Sequence, residues 1–185
     1  MEKRIKGVLS CYMSQCFIRA ISIARKVECD KVYPIHMAVA LTYPDASGKA
    51  RLNIGNAKYE DVIEAFSFMV ENGAFRDSVK HGKIDDEALK EGYMYAMSEE
   101  LIKVFNKCGI DEHNHISEQD IIKNIVEACN NEIKEINNFY EVNERFRREA
   151  DPREILGRIF GQVAPPPGTV MGMMISNDPN IGTFA

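Results

Sequence analysis

The sequence has neither the cysteine arithmetic of a disulfide scaffold nor that of a zinc ribbon. Its five cysteines, Cys11, Cys16, Cys29, Cys108 and Cys129, make an odd count with no Cys-x-x-Cys pair. Buried, inert thiols are the expectation, and Cys108 and Cys129 fall on apolar positions of helical patterns. Signatures of nucleotide and hydrolase chemistry are missing too. Gly48-Lys49-Ala50 lacks the leading glycine spacing and the Ser/Thr of a phosphate-binding loop, and no G-x-G-x-x-G, H-E-x-x-H or G-x-S-x-G occurs. Any ATP chemistry therefore belongs to another chain, and no cofactor is expected. No apolar run approaches the ~20 residues that span a bilayer. The stretch behind the charged start, with Ser10, Tyr12, Ser14 and Gln15, is too polar for a signal-peptide core. Positive charge is also scarce. Lys+Arg 23 against Asp+Glu 28 gives −5, which argues against a nucleic-acid partner. These absences leave a soluble, cytoplasmic protein without nucleic-acid or membrane partners.

What is present is helical periodicity. Met13, Phe17, Ala20, Ile21 and Ala24 make one helix face. Residues 34–41 form a short apolar helix with Pro34 at its first position, where a missing N–H costs nothing. Residues 42–56 read as a loop, with a small hairpin around Ser47-Gly48. Tyr59, Val62, Ile63, Phe66, Met69 and Val70 mark another helix, closed by Gly73. Asp85 caps a long helix whose buried side runs Leu89, Tyr93, Met97, Leu101, Val104, Phe105 and Cys108. Ser117-Glu118-Gln119-Asp120 opens a further helix as a capping box. Its stripe continues through Ile121, Ile125, Cys129, Ile133, Ile136, Tyr140 and Phe146, as one long helix or as two with a break near Asn130-Asn131 or Asn137-Asn138. Asp151-Pro152-Arg153-Glu154 signals one more start. The expected fold class is all-α.

The chain also carries an apparent internal repeat. Placing Ser14 on Ser98 without a gap brings Phe17 onto Leu101, Ala20 onto Val104, Ile21 onto Phe105 and Ala24 onto Cys108. Pro34 falls on Glu118, both at helix starts, and Met37, Ala38 and Leu41 fall on Ile121, Ile122 and Ile125. Duplicated helix–loop–helix units of this kind bury their apolar faces against each other. The expectation is a pseudo-twofold helical domain over 1–160, with repeat units at about 10–41 and 94–125, and a tail over 161–185.

The second unit, from Met97-Ser98-Glu99-Glu100-Leu101 through Glu112-His113-Asn114-His115-Ile116-Ser117-Glu118-Gln119-Asp120-Ile121-Ile122, resembles a Clp N-terminal-domain repeat. That family runs Gly-His-Asn-Tyr-Ile-Gly-Thr-Glu-His-Ile-Leu-Leu. His113-Asn114, Ile116 and Ile121-Ile122 match it, while Ala20, Ala24, Val32, His36 and Leu41 take the equivalent places in the first unit. The resemblance implies a non-catalytic recognition domain for substrates or adaptors, in protein quality control, acting as a free-standing relative beside an AAA+ unfoldase or its substrate. The cleft residues it implies are Ile35, His36, Gln119 and Asp120. The family's glutamate before the motif histidine is Ile35 in one unit and Gln119 in the other. Recognition of phosphorylated arginine, which needs that charge, is therefore not implied. Loop 42–56 is an insertion against the family pattern.

Two other features carry chemistry. Asp111-Glu112-His113-Asn114-His115 is the one dense polar cluster. It reads as a solvated loop rather than a metal site, because metal ligands usually come from separate, braced elements. The tail beyond Pro165-Pro166-Pro167 holds Val170, Met171, Met173, Met174 and Ile175 with Asp178 as its one charge. That composition fits a flexible tail or an arm packed back on the helical core, and equally a docking arm that inserts into a partner or sister subunit. It keeps open a structural subunit of a homo-oligomer, joined through the tail. An enzyme using His113, His115 or His36 with a nearby cysteine, carboxylate or metal is the third reading.

Overall fold

The computed structural model describes residues 5–143. Contacts divide the chain into a unit at Met1–Asn137 and another at Asn138–Ala185, of which 138–143 are described. The expected start at Asp151, the stripe position Phe146 and the tail residues Val170, Met171, Met173, Met174 and Ile175 lie outside the described residues.

Among the described residues the chain forms seven α-helices and no β-sheet. Helix α1 (Cys11–Lys26) starts where Ser10 Oγ accepts the Met13 N–H at 3.2 Å. It buries the expected stripe of Met13, Phe17, Ala20, Ile21 and Ala24. Helix α2 (Pro34–Ala40) has Pro34 at its first turn and every residue buried. It packs against α1, α3 (Tyr59–Glu71), α5 (Glu99–Asn106) and α6 (Glu118–Ala128), so no face is left for solvent. A helix apolar on every side, with His36 its one polar residue, is the sequence form that such enclosure demands. Helix α3 ends at Asn72 and Gly73, whose φ of +89° is the left-handed turn that the glycine was expected to supply.

The long helix expected from Asp85 is not continuous. Asp85 does cap α4 (Asp86–Glu91), accepting the N–H groups of Glu87 and Ala88. After Gly92 the chain makes a 3-10 turn at Tyr93–Ala96, and Met97 is extended. Ser98 then caps a new helix, α5, accepting the Leu101 N–H at 3.1 Å. The i, i+4 spacing of Leu89, Tyr93, Met97 and Leu101 survives the break, which is why periodicity concealed it. Further along, Ser117 Oγ accepts the Asp120 N–H at the start of α6. The reciprocal arm of the expected capping box is absent, because Asp120 Oδ2 accepts from the Gly109 N–H at 2.8 Å instead. Cys129 separates α6 from α7 (Asn130–Val142), so of the alternatives the stripe left open the break near Asn130 is the one formed.

Two extended crossings tie the helix starts together. Before α1, the Val8 N–H donates to Asn114 O, and the Ile116 N–H, just ahead of α6, donates to Val8 O, both at 2.9 Å. Before α2, the Val32 N–H donates to Ala96 O at 2.7 Å, and the Ser98 N–H, at the cap of α5, donates to Val32 O at 2.9 Å. The first crossing is tight. A Cβ on Gly7 would lie 2.9 Å from Ile116 Cγ1 and 3.0 Å from Asn114 O, so only glycine fits without a shift.

Candidate functional site

The second crossing opens onto the surface as a groove of about 460 Å³. The break at Gly92–Met97 creates it, since a continuous helix would carry Met94 and Tyr95 along a different line. Its walls come from the approach to α2 (Asp30, Lys31, Tyr33) and from the turn and first residues of α5, with Lys80 at the rim. Met94, Met97 and Ile102 supply apolar surface, and Glu99 and Glu100 supply charge. The backbone at the crossing is already hydrogen-bonded. The groove therefore presents side chains rather than unpaired backbone of the crossing. Tyr33 Oη donates to Asp30 Oδ1 at 2.8 Å, and burial followed by this bond pushes the phenol pKa up. Lys31 Nζ donates to Tyr95 O at 2.8 Å, bracing the turn against the α2 approach. No histidine or cysteine lines the groove. Ser98 Oγ is engaged as a helix cap.

The four residues expected at the cleft separate into different environments. Ile35 is 1% exposed and His36 0% exposed, both inside the enclosed α2, so neither side chain meets a partner in this fold. Gln119 lies on the exposed surface of α6. Asp120 holds the Gly109 backbone. His36 has a structural part to play. Its Nδ1 accepts the Tyr33 N–H at 2.8 Å, closing the first turn of α2. Its ring stands edge-on to Tyr33 and to Phe66. Burial pushes its pKa down to about 3, so the ring is neutral at physiological pH.

The polar cluster is a self-braced loop. Asp111 Oδ1 accepts the N–H groups of His113 at 2.8 Å and His115 at 2.9 Å, and Asn114 takes a left-handed φ of +66°. Those backbone donors, His115 first, hold the Asp111 carboxyl below its usual range. His113 and His115 are exposed. Among the described residues no three His, Cys, Asp or Glu side chains converge as metal ligands. Four of the five thiols are buried and Cys11 is exposed. Burial drives Cys16 and Cys129 up to about 12 and Cys29 to about 11, and raises Cys108 as well.

No family model, curated protein or solved structure matches this chain.

The groove residues escaped sequence reasoning because a helix was drawn through them. Two signals mark the site in hindsight. Gly92 is a poor helix-interior residue, and Ser98-Glu99-Glu100 is a cap followed by two carboxylates, the pattern of a helix start. Among the described residues no helix is long and apolar enough to cross a membrane.

Proposed function

We propose that this chain is a non-catalytic peptide-binding module built on two related helical units, in the manner of a Clp N-terminal domain. The observation that carries the reading is the exchange at the helix starts. The strand before the first helix of one unit pairs ahead of the second helix of the other, at Val8 with 114–116. The reverse holds at Val32 with 96–98. Glu118 of α6 and Pro34 of α2 both occupy the first helical position, in keeping with the gapless alignment. At α1 and α5 the caps Ser10 and Ser98 move the register by about one helical turn, which keeps the same faces inward. α5 is also the shorter, at 8 residues against 16.

The groove at the second crossing is the binding surface in this reading. Met94 and Ile102 offer apolar contact, and Glu100 favours a peptide that carries a basic residue beside an apolar anchor. Peptides selected from a random displayed library, titrated by calorimetry, test this. Saturable one-to-one binding is expected, weakened about tenfold by Met94→Asp and unaffected by Gln119→Ala. Equal affinity for wild type and Met94→Asp contradicts the reading.

A further inference from the structure

A second surface lies on the outer face of α1 and shares no residue with the groove. Tyr12 and Arg19 stand seven residues apart, two turns along one side of that helix. The insertion at 42–56 folds over this side. It is knotted by Asp45, whose Oδ1 accepts from Ser47 N, Ser47 Oγ and Lys49 N. It is anchored by Ile54, which is 1% exposed. The insertion thereby delivers Tyr43 and Arg51 to α1. Arg19 Cζ sits 3.7 Å from the centre of the Tyr43 ring, and Arg51 Cζ 4.4 Å from that of Tyr12. Tyr59 meets Tyr43 edge-on at 4.9 Å, stiffening that stack from behind.

Arg51 feels the Asp45 carboxylate of its own loop at longer range. Among the described residues no carboxylate lies within ion-pairing distance of Arg19. Arg51 has only Glu118, at 3.9 Å, and the other oxygen of that carboxylate already accepts from the Ser10 hydroxyl at 2.5 Å. In a chain of net charge −5 this is a local positive spot. The ring has already ordered the long side chain, and a guanidinium carries five N–H donors, more than one neighbouring ring hydroxyl occupies. Both guanidiniums lie near enough to the Tyr12 hydroxyl to favour its ionised form, against the burial that raises its pKa.

We propose that Arg19 and Arg51, each stacked on a tyrosine, form a docking surface for an acidic peptide segment of a partner protein. Carboxylates on neighbouring residues of an extended segment would each take one guanidinium edge. The surface stands independently of the groove, and Met94→Asp leaves it unchanged.

Fluorescence anisotropy with the intact chain and a fluorescein-labelled octaglutamate peptide tests this. Saturable binding is expected, weakened about tenfold by the double change Arg19→Gln/Arg51→Gln and unaffected by Arg25→Gln, whose guanidinium pairs with Asp86. The charge-retaining Arg19→Lys/Arg51→Lys change is expected to weaken binding partway, since lysine loses the stacked fork. Absence of saturable binding overturns the proposal, as does equal loss from Arg25→Gln. So does undiminished affinity in the double lysine variant. Displacement of the peptide by an equal concentration of inorganic phosphate overturns the peptide reading and leaves an anion site.

Discussion

His36 makes the stability of this fold depend on pH in a way that can be calculated. The side chain is fully buried, its Nδ1 is committed to the Tyr33 N–H, and its folded pKa lies at about 3. In the unfolded chain it titrates near the ordinary value of about 6.5. A histidine whose folded pKa lies below its unfolded one takes its proton first when unfolded, so acid favours unfolding. The contribution is complete above about pH 6.5 and drains away as the pH falls toward 3. Each pH unit in that window is worth about 1.4 kcal/mol, which gives roughly 2 kcal/mol lost by pH 5. Titrating carboxylates add their own slope, so the comparison must be with a variant. His36→Gln keeps an acceptor at the third helical position, where glutamine closes a capping box, and removes the titration. Urea unfolding followed by far-ultraviolet circular dichroism, suited to a chain without tryptophan, gives both stabilities. Between about pH 7 and pH 5 the wild type is expected to lose roughly 2 kcal/mol more than His36→Gln. Parallel losses in the two proteins refute the reasoning.

Three further outcomes follow from the packing. Gly7→Ala places a methyl against Ile116 and the Asn114 carbonyl, so denaturation should show a loss of about 1–3 kcal/mol, typical of overpacking. Ser98→Ala removes the cap that starts α5 and should cost about 1 kcal/mol by the same assay. Titration of the native protein with a chromogenic disulfide should modify Cys11 rapidly, with Cys16, Cys29, Cys108 and Cys129 reacting only on unfolding. Rapid modification of any of those four contradicts their assigned burial.

The helices built on sustained 3.6-residue periodicity were legible in the sequence because each buries one stripe. Met13 to Ala24 and Tyr59 to Met69 do so, and Pro34, Gly73, Asp85 and Ser117 mark ends by chemistry local to a few residues. The break before α5 was not legible. Tyr93 and Met97 keep helical spacing through a 3-10 turn and an extended residue, and the partner of that extended residue, Val32, is far away in sequence. The groove depends on that long-range pairing, so it was hidden with it. Ile35 and His36 were expected at a surface cleft because a family pattern placed them there. What encloses them is α1, α3, α5 and α6 together, a fact about the assembled core that no single stretch of residues contains. His36 illustrates the difference. A polar side chain in an apolar helix looks like a site, yet the hydrogen bond its Nδ1 accepts closes the first turn of its own helix. Residues 42–56 were legible as a loop, while their use, carrying Tyr43 and Arg51 onto α1, needed the tertiary structure.

The claim at the centre of this account is that the groove between the starts of α2 and α5 captures peptides. Nuclear magnetic resonance of the isotope-labelled chain, titrated with a library-selected peptide, tests it most directly. Shift changes are predicted to concentrate at Asp30–Tyr33 and Met94–Ile102. Changes centred elsewhere on the described surface, with those two segments silent, contradict the claim.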